Sequence, residues 1–152
     1  MKLHRIYAVV LRFMMLFRRS YDRMSDVFYW PFIDILIWGL TSAYFQTLAG
    51  EGDRIVTVLL GGLILWFVVW RAQYEISVNL LEDLWNKNLS NLFVSPLRFS
   101  EWIAAFFIIG ILKIVISIAF AAALAYGLYR VNFFEYGWYL LPAIPILAMT
   151  GW

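Results

Sequence analysis

Residues 102–129 read WIAAFFIIGILKIVISIAFAAALAYGLY, an apolar run with a single charged side chain, Lys113. A helical stretch longer than about 18 residues with so little charge can cross a hydrocarbon layer of roughly 30 Å. The whole chain agrees with its most apolar part. Its 152 residues are 64% hydrophobic, 20% aromatic and 14% charged, whereas soluble domains run roughly 45–50% apolar and about 25% charged. In water a chain of this size would leave many aromatic rings wet, at about 1.5–3 kcal/mol for each large side chain not buried. Mean hydropathy is +0.78, and the length limits the chain to about four spans of about 20 residues. The expected fold is an all-α polytopic membrane bundle.

Outward from that run, 137–152 is a second apolar segment that opens on Trp138 and Tyr139 and carries Pro142 and Pro145. It is short for a fourth span. On the N-terminal side, 71–100 breaks the apolar pattern with Arg71, Glu75, Glu82, Asp83, Lys87 and Arg98, while Val78, Leu81, Trp85, Leu89 and Leu92 recur at helical spacing. This predicts a cytosolic amphipathic helix over 75–95, supported by the Asp83 to Lys87 pair and stopped at Ser95-Pro96. A second span is expected over 55–73, where Gly61-Gly62 suggests close helix approach or a bend. The first is expected over 27–49, with Tyr29, Trp30 and Tyr44 at its ends and Pro31 in its first turn. Residues 1–24 sort into a stripe of Arg5, Arg12, Arg19 and Arg23 opposite an apolar face, the pattern of a helix lying in the membrane plane. Arg12 interrupts the apolar part and no small-residue cleavage site follows, which argues against a signal peptide.

Six basic residues precede the first span: Lys2, Arg5, Arg12, Arg18, Arg19 and Arg23. The 71–100 segment holds Arg71, Lys87 and Arg98, and the two remaining loops hold only Arg54 and Arg130. The bias predicts a multi-pass protein of the cytoplasmic (inner) membrane with a cytoplasmic N-terminus. Absent residue types narrow the chemistry. Without cysteine there is no disulfide, thiolate metal site or cysteine nucleophile, and His4, the one histidine, reads as an interfacial residue and not a ligand. A net charge of +2 is too small to suggest nucleic acid. The sequence contains no G-x-x-x-x-G-K-[ST] loop, H-E-x-x-H or G-x-S-x-G, so an enzyme is not expected.

A helix before the first span, the Arg71 to Glu75 exit of the second, and NLSNLFVSPLRFSEWI at 88–103 together resemble the permease subunit of type 2 ABC exporters. The family-like residues are Asn88, Leu92, Ser95, Pro96 and the acidic Glu101. The resemblance implies a substrate route shared with a second permease copy, and a separate nucleotide-binding subunit carrying ATP and Mg, with no cofactor on this chain. It also implies a coupling helix in which Leu81, Leu84 and Trp85 are buried anchors and Glu82, Asp83 and Lys87 are polar contacts. Family members have six spans, so the chain reads as roughly the first half of a larger permease. The alternative is a non-transporting scaffold or assembly factor that recruits a cytosolic partner through 75–95.

Asp34 and Lys113 are the ionisable residues inside expected spans, where a charge costs roughly 2.5–3.5 kcal/mol. Their depths differ by about 6 Å at 1.5 Å per residue, which a lysine side chain can cover. A structural pair, separate snorkelling and a place on the substrate route all remain open. The tryptophans and tyrosines read as interface belts, with Trp38 and Trp66 deeper in their spans.

Overall fold

The computed structural model describes residues 2–49, 54–87, 94 and 97–152. Among them there are helices and no strand. Helix α1 is Leu3–Arg19, α2 is Tyr21–Ala49, α3 is Arg54–Trp85 and α4 is Phe99–Tyr129; a short 3-10 segment, Phe133–Tyr139, leads into α5, Leu140–Gly151. Three of these helices are long and apolar enough to cross a membrane, with the candidate spans at Tyr21–Ala49, Ile55–Trp85 and Phe99–Tyr129. The chain is a multi-pass membrane protein. Helix α5, with 12 residues, is about 18 Å long, too short to cross the hydrocarbon layer alone.

Antiparallel pairing orders the bundle. Arg71 of α3 meets Asp26 near the start of α2, and at the opposite end the Val56 N–H donates to Gln46. Glu75 meets Lys113 while Asp83 meets Trp102, so α3 and α4 also run antiparallel and α2 lies parallel to α4. Helix α3 touches α2, α4 and α5, and its Leu60, Ile64, Val68 and Ala72 form the core with Ile35, Ile114, Ala121 and Ala125. A second core joins α1 to α4, where Ile6, Val9 and Phe13 pack on Trp102, Ala105, Phe106 and Ile109. The apolar face expected to rest on the membrane therefore grips a neighbouring helix. Outward, Trp38, Leu40, Phe45 and Leu48 of α2 are exposed, as lipid-facing side chains are.

Element boundaries depart from the sequence expectations in two places. Helix α2 begins at Tyr21, so Pro31 lies inside it and not in its first turn, and the missing N–H removes one intrahelical bond to Val27. The polar residues after Arg71 do not end the second apolar helix: α3 continues through 32 residues to Trp85, about 48 Å on one axis. The residues read as a second span and as the start of a separate cytosolic helix belong to one rod. The continuation follows from spacing, because Arg71, Glu75, Asn79 and Asp83 recur every fourth residue and share one side of the helix. All four are buried.

Small residues mark close approaches. A methyl group added at Gly151 would stand 2.6 Å from the Val69 carbonyl oxygen and 2.8 Å from the Ala72 side chain, so only glycine lets α5 lie on α3 there. Of the adjacent pair Gly61-Gly62, Gly61 faces the Tyr136 ring, whose hydroxyl donates to the Thr57 carbonyl at 3.1 Å, while Gly62 faces open space. Gly151→Ala is expected to lower stability by about 1–3 kcal/mol through overpacking. Gly62→Ala should instead raise it by about 0.8–1.0 kcal/mol, because alanine is the better helix former. Thermal unfolding of the purified variants in detergent reads both signs.

Candidate functional site

The buried polar row of α3 meets one partner from each side. Lys113 of α4 donates to Glu75 Oε2 at 2.5 Å, and Asn79 Nδ2 donates to the same oxygen at 3.2 Å. Arg71 Nη1 donates to Asp26 Oδ2 at 2.7 Å, its Nη2 donates to the Asp26 carbonyl at 3.2 Å, and Glu75 Oε1 lies 3.6 Å from Nη1. Two cations and two carboxylates thus cancel at one level of the bundle, with Arg71, Glu75 and Lys113 buried and Asp26 partly so. Isolated, each charge would be costly there; together they are held by direct hydrogen bonds. Phe17 of α1 closes one side, with its ring centre 5.0 Å from the Lys113 ammonium.

Beside this network lies a cavity of about 480 Å³ walled by α2, α3 and α4, into which Arg23 and Lys113 bring positive charge, Asp22, Asp26, Glu75 and Glu82 bring negative charge, and Tyr29, Tyr74 and Trp85 bring aromatic rings. That volume is in the range of roughly 300–1,000 Å³ that accepts small organic ligands. Arg23 is ion-paired with Glu82 on the same wall. Among the described residues no group of three or more histidine or carboxylate side chains is placed to hold a metal ion.

Sequence-expected site residues are split by this arrangement. Lys113 is paired with Glu75, and Asp34 faces a different pocket, lined with Trp66, Arg71 and Ser117. The basic stripe separates as well. Arg5 lies 3.7 Å from Glu101, Arg12 is bonded to Asp83 and stands over the Phe13 ring, and Arg23 takes Glu82, while Arg19 is exposed. Carboxylate partners at short range outweigh open snorkelling for three of the four. Asp83 also accepts from Trp102 Nε1 at 3.2 Å. Glu101, in the first turn of α4, accepts from the Arg98 N–H at 3.2 Å and from the Lys2 N–H at 2.7 Å, fastening α1 to α4.

Toward the end of α3, Leu81, Leu84 and Trp85 are exposed, as is Lys87 just beyond it; Leu81 and Trp85 border the cavity, and Glu82 is partly covered by its pair. The motif residues Asn88, Leu92, Ser95 and Pro96 lie outside the described residues. Sequence reasoning does not single out Asp26, Arg71, Glu75 or Asn79 as site residues. For the three on α3, the signal is the four-residue spacing of the row.

A family model described as TLC ATP/ADP transporter matches residues 50–134. The chain belongs to the TLC ATP/ADP transporter family. No curated protein and no solved structure matches it. The TLC match corrects the type 2 ABC exporter resemblance. With that resemblance go the ABC nucleotide-binding subunit and paired permease copies it implied; the match lends no support to the scaffold alternative either. The matched residues include the buried row of α3 and Lys113, the centre of the network.

Breaking one partner of a buried pair leaves the other charge uncompensated. Lys113→Met and Glu75→Gln are each expected to destabilise the protein by about 3–5 kcal/mol, and the double variant by less than the sum. Asp34→Asn should give no such relief to Lys113→Met. Yield of folded protein and detergent melting temperature measure the cycle, and additive losses for Lys113 and Glu75 would count against the pair.

Proposed function

We propose that the chain carries adenine nucleotides across a membrane in exchange mode, and that the cavity beside Glu75 and Lys113 is where the nucleotide sits. Supporting this is the coincidence of two features: the helices that belong to the ATP/ADP transporter family are those that bring Glu75 and Lys113 to the cavity wall. Lys113 and Arg23 are suited to phosphate oxygens, as ammonium and guanidinium groups are in general. Tyr29, Tyr74 and Trp85 offer rings on which a base can stack, an interaction of about 1–3 kcal/mol per base.

Each cation on the wall is already held by a carboxylate, and with Asp26 offset by Arg71 the empty cavity keeps one further negative charge, that of Asp22. A nucleotide enters by taking Lys113 from Glu75 or Arg23 from Glu82, and its departure lets the pairs close again. When Lys113 is taken, Glu75 keeps Arg71 at 3.6 Å and the Asn79 amide, and when Arg23 is taken, Glu82 is partly exposed, which limits the cost of the freed carboxylate. On this reading the nucleotide is cargo, neither substrate of hydrolysis nor cofactor, and a counter-nucleotide gradient supplies the driving force.

Proteoliposomes loaded with ADP are expected to take up labelled ATP without any added ATPase, and liposomes without internal ADP much more slowly. Lys113→Gln should cut the uptake rate about tenfold or more at equal protein incorporation, the loss of one charged hydrogen bond of about 1.5–3 kcal/mol. Uptake indifferent to internal ADP and to Lys113 would refute the proposal.

A further inference from the structure

A second pocket, of about 320 Å³, lies deeper along α2 than the charged network. Two helices supply most of its wall: Trp30 and Asp34 stand one turn apart on α2, and Trp66 and Trp70 one turn apart on α3. Ser117 of α4 lies at the back, 1% exposed, and its Oγ has no hydrogen-bond partner. Among the described residues no hydrogen bond or ion pair reaches the Asp34 carboxylate. The only other charged residue on this wall, Arg71, is engaged by Asp26 and Glu75. Asp26, Asp34 and Glu75 together carry three negative charges against the two positive charges of Arg71 and Lys113, so the surplus is one negative charge and it belongs to Asp34.

We propose that this pocket binds an organic ammonium ion with an apolar body, its charge met by Asp34 and the indoles of Trp30, Trp66 and Trp70, and an ammonium N–H donated to Ser117 Oγ. An unpaired carboxylate inside a span is costly, and a cation is what removes the cost. Tryptophan is the most effective of the aromatic side chains at attracting cations, and three of them line the pocket together with one acid. The volume is far larger than a bare metal ion requires and matches an alkyl or aralkyl body. Ser117 supplies an acceptor that nothing in the bundle uses. The pocket shares Trp30 with the nucleotide cavity but none of the groups proposed to hold phosphate, so the inference stands apart from the transport reading.

The test uses the full chain in maltoside micelles, with phenethylammonium chloride titrated at constant chloride against sodium chloride and bound amine measured by equilibrium dialysis. Saturable binding is expected, weakened at least tenfold by Asp34→Asn and several-fold by Trp66→Leu, which leaves the charge in place and decides the matter if the first variant does not fold. Doping the micelles with phosphatidylethanolamine, with phosphatidylglycerol as control, separates two sources of the same chemistry: a lipid amine headgroup competes with the probe, and a free amine leaves the titration unchanged by either lipid. Binding that does not saturate, or that saturates equally in the wild type and the variants, overturns the proposal.

Discussion

A lysine ammonium in the middle of an apolar helix needs a carboxylate close by, and Lys113 has Glu75 at 2.5 Å. Much of the bundle is arranged around meeting that need. Glu75 must sit on the inner side of α3, which places Arg71, Asn79 and Asp83 inside with it, because all four share the four-residue row. Those side chains in turn need Asp26 from α2 and Arg12 and Trp102 from α1 and α4. Ionic contacts therefore fix which faces of four helices meet, and the apolar cores fill the space between. Since a buried pair adds little net stability over apolar packing, its main effect here is on the choice of faces.

Helix α3 shows how an assumed solvent decides the reading of an amphipathic pattern. Val78, Leu81, Trp85 and their polar neighbours are legible in the sequence as a two-faced helix, and in water the apolar face is the one that docks. In the bundle the preference reverses: the charged face turns inward, Leu80 and Leu84 are left outward, and Leu81 and Trp85 border the cavity. Periodicity identifies the two faces, and the surroundings of the helix decide which of them is buried. The same inversion acts on α1, whose arginines would reach headgroups if the helix lay alone on the membrane and instead reach Glu101, Asp83 and, just after the helix, Glu82.

Long apolar helices are the most legible feature, because a charge-poor apolar run of 18 or more residues is at home in a bilayer and in few places besides. Tertiary choices are less so. Lys113 has two carboxylates at suitable depths, Asp34 and Glu75, and spacing along the chain carries no information on which one the packing of α3 on α4 brings near. Asp34, left over, is the origin of a separate pocket. Family-level reading from a short motif fails for a related reason: a Ser-Pro pair followed within a few residues by an acidic one is a short sequence pattern that unrelated membrane proteins can share.

The polar row of α3 between 71 and 83 faces inward while its apolar face looks out, and on that orientation both the charged network and the cavity beside it depend. The chain has no cysteine, so single cysteines can be introduced along 74–85 and spin-labelled in lipid bilayers, with collision rates to dissolved oxygen recorded position by position. High rates at Leu80→Cys, Leu81→Cys and Leu84→Cys with low rates at Glu75→Cys, Asn79→Cys and Asp83→Cys are the predicted pattern. The opposite phase, or rates without helical periodicity, would contradict it.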